Sequence, residues 1–122
     1  MFEVSVVANF SAAHNLKGYQ GKCEALHGHN WKVEVSLGSN RLDKIGMTED
    51  FKIVKEKLEG ILNLFDHKYL NVLSYFKKTN PTSENIAKLI YQKMKEKIDK
   101  KNLKVLFVRV WETENSCATY HE

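Results

Sequence analysis

An α+β domain built on an antiparallel four-stranded sheet is predicted by three features of the chain. Two segments near the start and two near the end read as strands, the first pair with apolar and polar residues alternating. Two segments between them carry apolar residues at helical spacing. No linker and no repeat divides the 122 residues, so residues 1–122 are read as one domain in the order strand, strand, helix, helix, strand, strand.

The first strand rests on Phe2, Val4, Val6, Ala8 and Phe10, which alternate with Glu3, Ser5 and Asn9. The second rests on Trp31, Val33, Val35 and Leu37 alternating with Lys32, Glu34 and Ser36. Between them a long loop is predicted over Ser11 to Asn30, and loops of that length inside a compact domain usually carry function. Gly38-Ser39-Asn40 breaks the second strand. Phe51, Val54, Leu58, Ile61, Leu62 and Phe65 then recur at helical spacing behind an N-cap at Asp50 or Thr48, with the helix ending near Asp66-His67. The only proline, Pro81, introduces the second helix. Thr82 caps it, Ile86, Leu89, Ile90, Met94 and Ile98 form its stripe, and Lys100-Lys101-Asn102 closes it. Leu103 to Trp111 reads as a strand apolar on both faces, Val105, Phe107 and Trp111 on one and Leu106, Val108 and Val110 on the other. Such a strand is buried twice or lies at an interface. Thr113 to Ser116 turns the chain into a last strand, Cys117 to His121.

Composition excludes several classes. No apolar run approaches the roughly 20 residues of a membrane span, and the N-terminus lacks a basic region followed by an apolar core. These features point to a cytoplasmic protein with no membrane partner. Two cysteines, Cys23 and Cys117, do not make a disulfide scaffold. The net charge of +4 would favour an anionic substrate. Only Arg41 and Arg109 are arginine, however, and the lysines are scattered over helix faces, so no nucleic-acid partner is expected.

The chemistry concentrates where His14, His27 and His29 fall within sixteen residues, in a chain with five histidines. Three neutral imidazoles suit a tetrahedral zinc ion with an open fourth position, the pattern of a catalytic site. In His27-Gly28-His29 the rings are two apart and point to one side of an extended chain. Cys23 lies four residues before His27. A dication and Lys22 nearby would lower its thiol pKa and make the thiolate a base at neutral pH; a fourth zinc ligand and a buried structural thiol are its other readings. Asp66 beside His67 has the composition of an acid–base pair. Glu112, at the end of the apolar strand, would be costly unless paired, and its natural ligand is a planar amidine- or guanidine-like edge.

These residues fall in an ordered series of motifs. They are Phe10-Ser11-Ala12-Ala13-His14, Cys23-Glu24-Ala25-Leu26-His27-Gly28-His29-Asn30, Gly46-Met47-Thr48-Glu49-Asp50-Phe51, Asp66-His67-Lys68-Tyr69-Leu70-Asn71, Asn80-Pro81-Thr82-Ser83-Glu84-Asn85-Ile86-Ala87 and Trp111-Glu112-Thr113. With them the chain resembles the 6-pyruvoyltetrahydropterin synthase superfamily, and within it the bacterial 6-carboxytetrahydropterin synthases of queuosine biosynthesis. The resemblance implies a tunnelling fold, in which trimers close their sheets into an intersubunit barrel and two trimers stack as a hexamer. It implies zinc on His14, His27 and His29, base catalysis by Cys23, and a partner acid–base pair, Asp66 and His67, across a subunit interface. Glu112 is the implied anchor of the pterin ring, with Thr82, Ser83 and Glu84 lining its pocket.

The implied reaction takes 7,8-dihydroneopterin triphosphate to 6-carboxy-5,6,7,8-tetrahydropterin, acetaldehyde and triphosphate with no organic cofactor. The three residues between Cys23 and His27 resemble the carboxy-forming enzymes. A pyruvoyl-forming synthase, which eliminates triphosphate without cleaving carbon, is the neighbouring alternative. A zinc-stabilised binding module, with Cys23 closing the metal site, is the alternative from another class.

Overall fold

The structure, a computed structural model, describes residues 1–21 and 24–122. Two long strands open the chain, β1 (Phe2–His14) and β2 (His27–Ser39). Helix α1 (Phe51–Leu62) follows, then a two-residue strand β3 (Lys68–Tyr69) and two short 3-10 turns. Helix α2 (Ser83–Lys97) leads to β4 (Lys104–Thr113) and β5 (Ser116–Tyr120). The sheet runs β3-β1-β2-β4-β5. Every pairing is antiparallel except the short β1–β3 contact, where Ala12 meets Lys68 and Ala13 meets Tyr69.

The α+β class and the two-helix order are as expected, but the sheet has five strands, not four. A two-residue strand has no periodicity to detect; β3 exists because Ser11 offers its outer edge to the chain returning from α1. The Ser11 amide donates to Asp66 Oδ1 at 2.9 Å, and the His67 amide donates to the Ser11 carbonyl at 2.6 Å.

The expected loop over Ser11 to Asn30 is shorter than predicted. β1 runs on to His14 and β2 begins at His27, so all three clustered histidines stand on strands. The inward face continues past Phe10 as Ala12 and His14, and its polar ring disguises the alternation that the apolar residues carry. α1 also stops at Leu62, short of Asp66, although Phe65 is still fully buried beyond the helix end. Asp50, one of the two expected caps, accepts from the Lys52 amide, and Thr82 Oγ1 accepts from the Asn85 amide at the start of α2. In the expected stripe of α2, Ile86, Ile90 and Met94 are buried and Leu89 half-buried. The helix ends at Lys97, however, before Lys100-Lys101-Asn102, and Ile98 is its extended C-cap residue.

Both helices pack on one face of the sheet, α1 against β1 and α2 against β4 and β5. The core is the inward row of β1 (Val6, Ala8, Phe10, Ala12) and β2 (Trp31, Val33, Val35, Leu37), facing Val54, Leu58 and Ile61 of α1 and the stripe of α2. Outside the elements, Glu49 is nearly buried and paired with Lys100 Nζ at 3.1 Å, which ties the approach to α1 to the segment after α2. Lys57 Nζ donates to the Lys97 carbonyl at 2.8 Å, a cation on the C-terminal carbonyls of α2.

The faces of β4 differ from the expectation. Val105 joins Val108 and Val110 on the core side, while Phe107, Arg109 and Trp111 lie half-buried on the other. A bulge causes this: Ser36 pairs with Phe107 but Leu37 with Val105, so Leu106 is the extra residue and the alternation resets there. The second face is therefore mixed, with Arg109 Nη1 bonded to Glu34 Oε1 at 3.0 Å between the two aromatics. Gly38 makes room for the bulge, since a Cβ there would lie 2.8 Å from Leu106 Cδ1.

Gly38→Val should destabilise the fold by about 1–3 kcal/mol through that overlap, read from urea denaturation. Leu106→Ala in the same chain should recover most of the loss, because the two side chains claim the same space. Additive losses in the double variant would contradict the overlap.

Candidate metal centre

The register of β1 against β2 assembles the histidines. His14 stands opposite His27, and Ala12 opposite His29, one step beyond the Phe10–Trp31 pair. Because side chains alternate along a strand, His14, His27 and His29 continue the inward rows that end in Ala12 and Trp31. Two of the rings rest on Trp31, whose centroid is 4.9 Å from His14 and 5.3 Å from His29, both edge-on, and His27 stands edge-on to those two at 4.6 and 4.7 Å. Trp31 is in turn stacked on Phe10 at 5.8 Å and donates Nε1–H to the Ala12 carbonyl at 3.2 Å. The hydrophobic core thus supplies a rigid floor for a polar end layer. Gly28 has ordinary room, since a Cβ would meet only the Ala12 carbonyl at 3.9 Å, so glycine is not needed there for a close approach.

Hydrogen bonding fixes two of the ring tautomers. His14 Nδ1–H donates to the Pro81 carbonyl at 2.8 Å and His27 Nδ1–H to the Ala25 carbonyl at 2.9 Å. In the neutral rings both Nε2 atoms therefore carry lone pairs, yet they face each other at 3.0 Å. His29 Nε2 is buried with no hydrogen-bond partner. Glu112 brings Oε1 to 3.0 Å from His14 Nε2 and 3.3 Å from His29 Nε2. Four donor atoms, one from each residue, lie within 4.8 Å of one another.

Such a knot of acceptors repels itself unless a cation holds it, and a divalent metal fits. Ligand bonds of about 2.0–2.1 Å in a tetrahedron place neighbouring donors about 3.3–3.4 Å apart, and three of the separations here are 3.0, 3.0 and 3.3 Å, with all four atoms inside 4.8 Å. Burial holds the His29 imidazole below its usual pKa; the Glu112 carboxylate opposes this, and the charges of His27 and His14 add to the lowering. The ring is kept neutral, as a ligand must be.

The other expected site residues are placed elsewhere. Asp66 and His67 are in contact, Nδ1 to Oδ1 at 3.1 Å, but outside the four-donor cluster. Their contact follows from the backbone: His67 has φ +58°, a left-handed conformation that costs a non-glycine residue roughly 1–3 kcal/mol and that the Ser11 hydrogen bonds hold in place. The Ser11 amide bond holds the Asp66 carboxyl below the usual range, and His67 adds to this. The His67 ring is 82% exposed at the outer edge of β1. Thr82 and Ser83 are half-buried at the start of α2 and Glu84 is exposed in its first turn. Cys23 and Lys22 lie outside the described residues.

Sequence reading missed how the segment after His14 is held. Asn71 exchanges two hydrogen bonds with the backbone of Asn15 (3.0 and 2.8 Å), and Asn80 does the same with Lys17 (2.9 and 2.8 Å). Each amide imitates a strand neighbour. Asn85 Nδ2 donates to the Asn80 carbonyl at 2.9 Å, so the N-terminal end of α2 is bound into the same network that presents Pro81 to His14. Glu24, next to Cys23 in the second motif, brings Oε1 to 3.5 Å from His27 Nδ1. The motifs contained these residues, but nothing in their spacing distinguishes a clamp from a surface amide.

A family model described as 6-pyruvoyl tetrahydropterin synthase matches residues 3–122. The chain belongs to this family. A Rickettsia typhi protein named 6-carboxy-5,6,7,8-tetrahydropterin synthase is 31% identical over 88% of this chain and 91% of its own. A Haemophilus influenzae protein of the same name is 31% identical over the whole of both chains. The solved structure of Caenorhabditis elegans 6-pyruvoyl tetrahydropterin synthase matches with a TM-score of 0.84 at 27% identity, covering 99% of this chain and 95% of that one.

A depressed His29 pKa has a definite sign. As pH falls below the ordinary histidine value the unfolded chain takes up the proton first, so stability of the metal-free protein is lost. Urea midpoints in chelator should fall between about pH 7.5 and 5.5. His29→Asn should flatten that slope, and an unchanged slope would remove His29 as its source. Asn80→Ala, which frees Lys17 and loosens Pro81, should weaken metal binding by roughly tenfold in a chelator competition. Wild-type affinity would show that the clamp does not reach the metal centre.

Proposed function

We propose that this chain is a 6-carboxy-5,6,7,8-tetrahydropterin synthase, converting 7,8-dihydroneopterin triphosphate, with water, to 6-carboxy-5,6,7,8-tetrahydropterin, acetaldehyde and triphosphate. The reading is carried by the convergence of three imidazole Nε2 atoms and the Glu112 carboxylate at the end of the β1–β2 ladder. It is supported by full-length relatives of that name and by the three residues between Cys23 and His27. The product belongs to an early step of 7-deazaguanine and queuosine biosynthesis, a cytoplasmic role.

His14, His27 and His29 hold zinc, which when bound supplies Lewis acidity toward the substrate's side-chain oxygens. Glu112 grips the pterin edge with parallel charge-assisted hydrogen bonds, and Thr82, Ser83 and Glu84 line the pocket around it. Cys23, as thiolate, takes a proton from the side chain. The Asp66–His67 pair moves a proton on the opposite side, with Asp66 fixing the imidazole through its Nδ1. A carbon–oxygen bond to triphosphate and one side-chain carbon–carbon bond break.

The His67 ring is too exposed to work in a single copy. Its place at the outer edge of β1, and the half-buried Phe107 and Trp111 on the outer sheet face, support a trimer or hexamer in which the sheets close a barrel and His67 serves a neighbour's site. A stable, active monomer in light scattering would contradict this arrangement.

The pyruvoyl-forming activity is the second reading, favoured by the name of the matching family and of the C. elegans structure. Mass spectrometry of the reaction with dihydroneopterin triphosphate separates the two. The expected products are 6-carboxytetrahydropterin and acetaldehyde; 6-pyruvoyltetrahydropterin without acetaldehyde would transfer the assignment to the second. Cys23→Ala should keep zinc and pterin binding and lose turnover, whereas loss of metal would make Cys23 a ligand.

A further inference from the structure

We propose that Glu112 alternates between two partners: in the substrate-free enzyme its carboxylate is the fourth metal ligand, and an arriving pterin ring draws it away. The proposal rests on the pterin reading above and deepens it, because one side chain then senses substrate and opens the metal centre.

A cation shared with the imidazoles accounts for the position of Oε1. It lies 3.0 Å from His14 Nε2 and 3.3 Å from His29 Nε2. His14 has committed its Nδ1–H to Pro81, so its neutral ring presents a lone pair to the carboxylate. Acceptor against acceptor is repulsive, and the distances are those of two edges of a tetrahedron around a shared ion.

The four donors are not equally fixed. The histidines stand on the long β1–β2 ladder, and His14 and His27 are further tied through Nδ1. Glu112 stands one residue beyond Trp111, the last β4 position paired with β2, and inside the irregularity between Trp111 and Thr113 in the β4–β5 pairing. Its side chain is one-third exposed, whereas that of His14 is almost fully buried. His14 and His27 are held at both backbone and ring. Glu112 stands at an irregular strand end with its carboxylate on the imidazoles alone, although its exposure (33%) is close to that of the His27 side chain (36%). Glu112 is also the only one of the four able to grip a planar N–C–N edge with two parallel hydrogen bonds.

Metal and pterin ring then compete for one carboxylate, and linkage makes the antagonism reciprocal. A ring without a side chain should bind more weakly to metal-loaded than to metal-free protein. A substrate that carries its own oxygen donors escapes this penalty, so the exchange selects side-chain-bearing pterins.

The test uses the native oligomer loaded with cobalt(II) and unsubstituted pterin as the probe. Pterin should shift the ligand-field absorption of the wild type to that of pterin-free Glu112→Ala, and should not shift the variant further. Glu112→Ala should bind cobalt roughly ten- to a hundred-fold more weakly. Calorimetry should find pterin binding to metal-free wild type more tightly, by roughly fivefold or more. Pterin that binds wild type with no spectral change overturns the exchange and leaves the proposed activity standing. Unchanged cobalt affinity in Glu112→Ala overturns the ligand role. Failure of pterin to bind either form of the wild type overturns both the exchange and the pterin reading, and the wild-type arms decide even where the variant does not fold.

Discussion

The pairing of β1 with β2, from Phe2 opposite Ser39 to His14 opposite His27, is the constraint on which the core and the metal centre both depend. Its inward rows begin as aliphatic and aromatic side chains and end as imidazoles. A slip of β1 by one residue would turn Phe10 and His14 to the outer face while Trp31, His27 and His29 of β2 stayed inward, and the cluster would be lost. The hydrophobic effect therefore sets the register that the site needs: burying Trp31, Val33, Val35 and Leu37, each worth about 1.5–3 kcal/mol, also orders three rings that are costly to gather.

Gathering them is costly because His14 Nε2, His27 Nε2 and the Glu112 carboxylate are all acceptors at close range. The protein meets that cost with a stiff surround. Trp31 supports His14 and His29 from below, Pro81 and Ala25 orient His14 and His27, and the amides of Asn71 and Asn80 hold the chain as it leaves His14. Glu112 is the exception, a partly exposed carboxylate on an irregular strand end. Three imidazoles on paired strands and one carboxylate at a strand end make a donor set that could hold a metal ion.

The same sheet holds a second polar pair apart from the four donors. Asp66 and His67 are held by the outer edge of β1, with the His67 ring turned toward solvent and away from the four donors. The left-handed turn at His67 is a local cost carried to present that ring outward. The ring's one side-chain contact is with Asp66, so its imidazole is left open to the surface.

What the sequence by itself determined was the α+β order, the two helices with their caps, most of the core, and the three histidines as one group. Period, capping chemistry and two-residue spacing are local properties, and local properties are written in consecutive residues. The extension of β1 and β2 through the histidines was hidden, because a polar ring on an inward face breaks the alternation by which strands are recognised. Only the tertiary structure decided the faces of β4, since the bulge at Leu106 comes from the space above Gly38 on another strand. It alone gave Asn71 and Asn80 their part, and it alone brought Glu112 against His14, ninety-eight positions away in the chain and 3.0 Å away in space. Contacts between distant segments depend on how the sheet is ordered, and no window of neighbouring residues contains that order.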